Sequence, residues 1–125
     1  MMAETKSERL NASLKRVVAV SGVAGAAIVA RNGLLIASEL PRDIDERRLG
    51  AMTATMMGAV ETTGVTLNKG SVRRVIAEVE HATIVAMGAG PKAIIVCTAE
   101  NGVNLGMLLL EMEEQAMQTK AILDN

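Results

Sequence analysis

Apolar residues recur at helical spacing at both ends of the chain. Near the N-terminus, Thr5 and Glu8 have the spacing of a capping box, and the helix that they begin ends at Ser21-Gly22. Near the C-terminus, Asn104 is the predicted N-cap of a last helix. The apolar positions of this helix are Leu105, Leu108, Leu109, Met112, Ala116 and Leu123, and its predicted water-facing residues are Glu111, Glu113, Glu114 and Lys120. Both segments therefore predict amphipathic helices with one face towards a core.

Five shorter segments predict β-strands. Segments 26–30 and 34–38 flank Asn32-Gly33, a pair typical of a type I′ hairpin because both central residues need positive φ. The other three segments are 72–80, 83–87 and 93–98, joined at His81-Ala82 and at 88–92. The runs 26–30 and 93–97 are apolar without alternation, which is typical of strands covered on both faces. The charged third strand suits a sheet edge.

A middle helix is predicted from Asp43, three residues before Glu46, to about Thr63, with Gly64 ending it. No charged residue lies between Arg48 and Glu61, so most of this helix lacks a polar face. On a helical wheel the side predicted to pack on the sheet holds Leu49, Met52, Thr53, Met56, Val60 and Thr63. The opposite side holds Gly50, Ala54, Met57 and Gly58, with Arg47 and Glu61 at its ends.

We expect a second molecule to cover this opposite side, with Met57 as the central contact. The small residues around Met57 would let another backbone approach closely. The alternative is an ordinary surface of small residues, since singly exposed apolar side chains are common. A contiguous uncharged strip is less common and favours an interface.

The third strand carries a second pattern. If two copies pair antiparallel about a two-fold axis through Ile76, Arg74 of one copy faces Glu78 of the other. Opposite charges across such a ladder favour pairing by a few tenths to about 1 kcal/mol. Alternating charges also occur on solvated strands, so the pattern agrees with a symmetric dimer without requiring one.

Composition limits the class of protein. The 125 residues predict a single domain, 1–125, and half of them are hydrophobic although Phe, Tyr and Trp are absent and Met occurs nine times. A net charge of −1 and the lack of aromatic residues disfavour a nucleic-acid partner. The single cysteine, Cys97, excludes an intramolecular disulfide and fits the reducing cytoplasm.

The apolar run 17–30 is the strongest candidate for a membrane or leader segment. It is shorter than the roughly 20 residues that span a bilayer. A secretory leader is the alternative, because Lys15-Arg16 precede the run. Glu4 and Glu8 are unusual in a basic leader, and cleavage would remove one strand of the first hairpin. We therefore expect a protein without a membrane span, located in the cytoplasm.

Few residues could carry chemistry. His81 is the single histidine, so one chain cannot assemble a histidine-pair metal site or a serine triad, and Cys97 lies in an apolar strand where a thiol is inert. Residues 88–92 lack the spacing of a phosphate-binding loop. An arginine finger could come from Arg42, Arg47 or Arg48, although solvated helix-end charges are the commoner interpretation. We predict neither an enzyme nor a cofactor.

The chain resembles the Roadblock/dynein light chain family, of the prokaryotic MglB-like kind. The resemblance lies in residues 22–38, 49–52 and 103–108, which are GVAGAAIVARNGLLIAS, LGAM and VNLGML, together with the order of elements. With the resemblance, we predict an α/β protein of the α+β type, arranged as a three-layer sandwich. Its five-stranded antiparallel sheet has helices 1 and 3 on one face and helix 2 on the other, in the order α-β-β-α-β-β-β-α.

The resemblance also implies a function. It implies a homodimer formed through the middle helix and the third strand, which binds a small Ras-like GTPase and regulates its nucleotide cycle. The predicted dimer interface is Gly50, Ala54, Met57, Gly58, Glu61, Arg74, Ile76 and Glu78. The predicted partner-binding residues are Arg47, Ala51, Ala54 and Met57. A purely structural adaptor is the alternative function, and a small-ligand sensor is a third that the uninterrupted apolar strands disfavour.

Overall fold

A computed structural model describes residues 4–124, so the outermost residues of the predicted domain lie outside the described part of the chain. The elements are α1 (Lys6–Val18), β1 (Val23–Ala30), β2 (Leu35–Glu39), α2 (Glu46–Thr66), β3 (Val75–Val79), β4 (Ala82–Gly88), β5 (Ala93–Ala99) and α3 (Leu105–Leu123). The strands form one antiparallel sheet in the order β2-β1-β5-β4-β3. The predicted element order is confirmed, and β3 is an edge strand as expected.

The helices lie in two layers, one on each face of the sheet. α1 and α3 cover one face, where Leu14, Ile28 and Leu108 belong to the larger of the two apolar clusters. α2 covers part of the other face, where a smaller cluster contains Met57 and Val96. Since β1 and β5 contribute alternate residues to both clusters, their unbroken apolar sequences are explained by burial on two sides. The three-layer sandwich is confirmed.

The helix starts follow the predicted caps, with one change. Thr5 and Glu8 form both hydrogen bonds of a capping box, and Asn104 accepts a hydrogen bond from the backbone N–H of Met107. The middle helix begins two residues later than expected, because Asp45 and not Asp43 is its N-cap and accepts from the backbone N–H of Arg48 at 3.1 Å.

Gly64 does not end α2 as predicted, because the helix continues to Thr66. The stop is provided by Asn68, which has a φ of 55°. Asn68 N–H donates to Val65 O, and Lys69 N–H donates to Gly64 O, which is a Schellman motif. Gly64 instead permits a close contact, since a Cβ there would lie 2.7 Å from Gly70 O.

The hairpin between β1 and β2 is not the predicted type I′ turn. Gly33 has a φ of 92°, whereas Asn32 is not among the described residues with positive φ. Gly33 N–H donates to Ala30 O, and Ala30 N–H donates to Leu34 O, which is the pattern of a three-residue loop that ends in a left-handed glycine. The third strand is also shorter than predicted, spanning Val75–Val79 and not 72–80.

The loop between β1 and β2 supports α2 through a contact between backbones. A Cβ on Gly50 would lie 2.5 Å from Gly33 O, and a Cβ on Gly33 would lie 3.2 Å from the Cα of Ala51. Only a glycine at position 50 permits this approach. The contact fixes which side of α2 faces the sheet.

We predict that Gly50→Ala destabilises the protein, because the added methyl must displace the Gly33 carbonyl; overpacking of this kind costs about 1–3 kcal/mol. Gly58→Ala is the matched control on the same helix, since a Cβ there meets nothing within 4 Å. It should raise the free energy of unfolding by about 0.5–1 kcal/mol. Urea unfolding followed by far-ultraviolet circular dichroism measures both. Equal effects of the two substitutions would contradict the described contact.

Candidate protein-interaction surface

The side of α2 that faces the sheet differs from the predicted one. Met57 is 1% exposed and packs with Ala27, Val29, Ala86, Ile94 and Val96, and Gly50 and Thr53 are also buried. Met52, predicted to face the sheet, is 61% exposed. The wheel assignment was therefore wrong for Gly50 and Met57, which are buried, and for Met52 and Thr63, which are exposed. Met57 cannot serve as the central contact with another molecule, because its own chain covers it.

One apolar flank of α2 remains partly open. Leu49, Met52, Met56, Val60 and Leu67 lie within an arc of about 80° at 100° per residue. Leu49, Met56 and Val60 are half-buried, whereas Met52 and Leu67 are 61% and 60% exposed. These five residues are called the open flank. Together with Thr63, which is exposed in the same arc, they give α2 a charge-free side that its own sheet only partly covers.

An apolar cavity lies beside the open flank. Its volume is about 140 Å³, which is below the roughly 300–1,000 Å³ of typical ligand pockets. It is lined by Leu40, Ile44, Leu49, Ile84, Val96, Cys97 and Thr98. Because Leu49 belongs to the open flank and Ile84 to the adjoining sheet, cavity and flank form one apolar surface.

The edge strand β3 borders the same region. It pairs only with β4 among the described strands, so its outer backbone groups face away from the sheet. Ile76 and Val79 are 40% and 52% exposed, and Glu78 is exposed. Arg74 precedes the strand and contacts Glu113 of α3 at 2.7 Å. The predicted partner of Arg74 across a dimer, Glu78, therefore has a competitor within the same chain.

Glu61, another predicted interface residue, is also bound within the chain. Arg31 Nη1 donates to Glu61 Oε2 at 2.8 Å, and Arg31 Nη2 donates to Gly90 O at 3.1 Å. Arg31 thus links the β1–β2 loop to α2 and to the β4–β5 turn. This contact could not be predicted from periodicity, because Arg31 and Glu61 are thirty residues apart.

The predicted partner-binding residues differ in how far they are exposed to solvent. Arg47 and Ala51 are exposed, Ala54 is half-buried, and Met57 is buried; Gly58 of the predicted dimer interface is half-buried as well. The outer side of α2 also carries threonines whose hydroxyls bond the helix itself, as Thr55 Oγ1 donates to Ala51 O at 2.9 Å. The accessible part of the predicted site is therefore Arg47, Ala51 and part of Ala54.

The residues that could carry chemistry stay apart. No group of three metal-ligating side chains is found within residues 4–124. His81 is exposed beside Glu80, as predicted for a solvated turn. Lys92, in the turn 88–92, donates a hydrogen bond from Nζ to Leu123 O. Cys97 is buried, and desolvation raises the pKa of its thiol from 9.0 to about 11, although a backbone hydrogen bond with Val85 opposes the shift. A thiol in this state is a poor nucleophile.

Comparison with known proteins identifies the family. Residues 10–99 match the family model described as the Roadblock/LC7 domain. The chain belongs to the Roadblock/LC7 family. The resemblance inferred from the sequence is confirmed. An uncharacterized protein of Methanocaldococcus jannaschii, MJ1340, is 34% identical over 101 residues, which cover 81% of this chain and 88% of that protein.

Solved structures of MglB proteins share this Roadblock fold. Myxococcus xanthus MglB has a TM-score of 0.88 at 20% identity and covers 99% of this chain and 94% of its own. A structure described as MglB with tetrameric arrangement has a TM-score of 0.88 at 18% identity and covers 98% of this chain and 93% of its own. At these identities the likeness shows the fold alone.

The Roadblock fold supports a role as a protein-interaction adaptor or regulator module. The surface described above agrees with that role, because its accessible groups are apolar side chains and a strand edge. No helix within residues 4–124 is long and apolar enough to cross a membrane.

Burial of Cys97 predicts a pH dependence of stability. Folding favours the neutral thiol, because its pKa is higher in the folded protein than in the unfolded chain. The contribution of the neutral thiol to the free energy of unfolding is therefore complete below about pH 9 and is lost as the pH rises towards 11. The free energy of unfolding should fall by roughly 2 kcal/mol more across this window in the natural protein than in Cys97→Ala. Urea unfolding at several pH values measures the difference. Parallel curves for the two proteins would show that the thiol is not desolvated.

Proposed function

We propose that this Roadblock protein is a cytoplasmic homodimer that binds a small Ras-like GTPase and regulates its nucleotide cycle. The observation that supports the proposed dimer is the open flank of α2, which lies beside the unpaired edge of β3. The family resemblance supports the GTPase as the partner.

A second copy of the chain suits this surface. A two-fold axis brings identical patches together, so an apolar flank meets an apolar flank and one edge strand meets another. Antiparallel packing of two α2 helices about the middle of the open flank would bring Leu49 of one copy near Leu67 of the other. The exposed leucine could then fill the cavity lined by Leu49 and Ile84.

The sheet edges would complete the same interface. Pairing of β3 with its twin would satisfy the outer backbone groups of both strands and give one continuous sheet. Ile76 and Glu78, both exposed on β3, would belong to this interface. Gly50, Met57 and Glu61 would act through their own chain by holding α2 in position, and the exposed Met52 replaces Met57 as the methionine that contacts the second copy.

We predict that Met52→Glu weakens dimerisation, because an unpaired charge in a dry interface costs several kcal/mol. Thr62→Glu is the matched control, since Thr62 is exposed on the other side of α2. Sedimentation velocity at several concentrations measures the dissociation constant of each variant. Met57→Glu should instead unfold the chain, because Met57 lies in its own core. An undisturbed dimer in Met52→Glu excludes the open flank as the interface.

The GTPase would contact the outer side of the paired α2 helices, where Arg47 and Ala51 are exposed. The small side chains there permit close approach of a partner. Arg47, Arg42 and Arg48 are all exposed, so each is free to meet a phosphate or a carboxylate of the partner. The nucleotide itself would be held by the GTPase.

GTP turnover by the cognate small GTPase, measured with and without this protein, tests the regulatory role. We expect a changed rate of hydrolysis or of nucleotide exchange, and Arg47→Ala should reduce that change without affecting dimerisation. Binding with unchanged hydrolysis and exchange would leave the structural adaptor as the function. Absence of binding would reject the GTPase as a partner.

A small-ligand sensor is less well supported. The cavity between α2 and the sheet is small, and Thr98 is the one hydroxyl-bearing side chain in its lining. Ligand sites usually combine a larger volume with several convergent polar groups. The cavity therefore suits an apolar side chain of another subunit better than a polar metabolite.

A further inference from the structure

A cleft between α1 and α3 has two buried polar side chains in its lining, on the face of the sheet opposite α2. Ser13 and Gln115 are 4% and 3% exposed, although Leu14 and Leu108 on the same two helices belong to the apolar core. Ser13 Oγ donates a hydrogen bond to Gln115 Oε1. The cleft has a volume of about 400 Å³, which is within the roughly 300–1,000 Å³ of ligand pockets.

The amide nitrogen of Gln115 has no hydrogen-bond partner within residues 4–124. Ser13 occupies the carboxamide oxygen, and Nε2 donates to no described acceptor. Nε2 is also not among the unpaired atoms that the protein seals off from solvent, so it opens into the cleft that Gln115 lines. Since a buried amide N–H without an acceptor lowers the free energy of unfolding, an unpaired group of this kind needs an explanation. A ligand that brings an acceptor into the cleft would supply one.

Charged side chains of both signs line the same cleft. They are Arg9, Arg16, Glu4 and Glu114, two positive and two negative charges that sum to zero. Arg16 is partly engaged, because its Nε contacts Glu111 at 3.5 Å. Neither Arg9 nor Glu114 forms an ion pair with a described residue, although both border one cleft. These two charges are therefore available to a molecule that enters it.

The two available charges lie on either side of the buried polar pair. The contacts of Ser13 with Gln115 and of Arg16 with Glu111 show that α1 and α3 run antiparallel. Arg9 precedes Ser13 by one helical turn and so lies towards the C-terminal end of α3, whereas Glu114 lies on the N-terminal side of Gln115. The apolar part of the lining is Ala12 and Ile122.

We propose that the cleft between α1 and α3 binds a small zwitterion, an α-amino acid with an aliphatic side chain. The carboxylate of the amino acid would accept hydrogen bonds from Arg9 and from the free N–H of Gln115. Its ammonium group would meet Glu114. Both are charge-assisted contacts, which are the stronger kind of hydrogen bond. The aliphatic side chain would pack on Ala12 and Ile122.

Ligands with charge of a single sign fit the cleft less well. A simple carboxylate would leave Glu114 unpaired and be repelled by it, and a simple amine would leave Arg9 and the Gln115 amide unpaired. A nucleotide would bring several negative charges towards Glu4 and Glu114. Because the cleft lies on the opposite face of the sheet from α2, the proposal depends on neither the homodimer nor the GTPase.

Calorimetric titration of the full chain with L-leucine tests the proposal. Two comparison ligands each lack one charged group of leucine: isocaproate keeps the carboxylate without the ammonium group, and isoamylamine keeps the ammonium group without the carboxylate. We expect saturable binding of L-leucine with a dissociation constant below about 1 mM, and at least about 10-fold weaker binding of either comparison ligand. Absence of leucine binding, or equal binding of either comparison ligand, would overturn the proposal.

Two carboxylate substitutions locate the ammonium group of the ligand. Glu114→Gln should weaken binding of L-leucine about 10-fold, because the ion pair with the ammonium group is lost. Glu113→Gln is the matched control, since Glu113 pairs with Arg74 and lines a depression on the other side of α3. It should leave the dissociation constant unchanged. Equal losses in the two variants would place the ligand elsewhere and overturn the proposal.

A second pair of variants locates the carboxylate of the ligand. Arg9→Gln should weaken binding of L-leucine about 10-fold, whereas Lys15→Gln should not, because Lys15 is exposed and lies outside the lining of the cleft. Both positions are at the surface of α1, so neither substitution disturbs the core. Unchanged leucine binding in Arg9→Gln would overturn the proposal.

Nuclear magnetic resonance of the nitrogen-labelled chain reports on the buried amide directly. Gln115 and Gln118 are the two glutamines of the sequence, and Gln118→Ala, a substitution of an exposed residue, assigns their side-chain signals. Saturating L-leucine should shift the side-chain amide signal of Gln115, because its free N–H gains an acceptor. A signal that stays in place while leucine binds would overturn the proposal.

Discussion

The contact between the backbones at Gly33 and Gly50 determines the arrangement of the α2 face. A helix whose central residues are all uncharged has no polar side to direct its rotation, so packing on the sheet alone would permit several orientations. The missing Cβ at Gly50 lets α2 rest on the β1–β2 loop in one of them. Met57 then enters the core, and Met52 is left at the surface.

The same contact explains why α2 leaves apolar surface uncovered. With its N-terminal half held over the first hairpin, the helix packs on β1, β2, β4 and β5, whereas Val79 of the edge strand β3 stays exposed. Arg31 adds a second attachment through Glu61. The cavity lined by Leu40, Ile44 and Leu49 lies near the N-terminal end of α2, between the helix and the sheet.

Much of the fold could be predicted from the sequence because its signals are local. Capping at Thr5 and Asn104, unbroken apolar strands and a charged edge strand each depend on a few neighbouring residues. The rotation of α2 could not be predicted in this way. A helical wheel of α2 has apolar or small residues on every side. The contact that sets the rotation of the helix joins Gly50 to Gly33, seventeen positions earlier in the chain. The exposure of Leu110 was also hidden, since α3 has apolar residues on both of its sides.

The core without aromatic rings has a practical consequence for studying assemblies of this protein. Phe, Tyr and Trp are absent from all 125 residues, so the chain contributes almost no near-ultraviolet absorption and no intrinsic fluorescence. Any tryptophan or tyrosine emission from a complex therefore comes from the partner. A single tryptophan introduced at a chosen surface position would report on that position against a dark background.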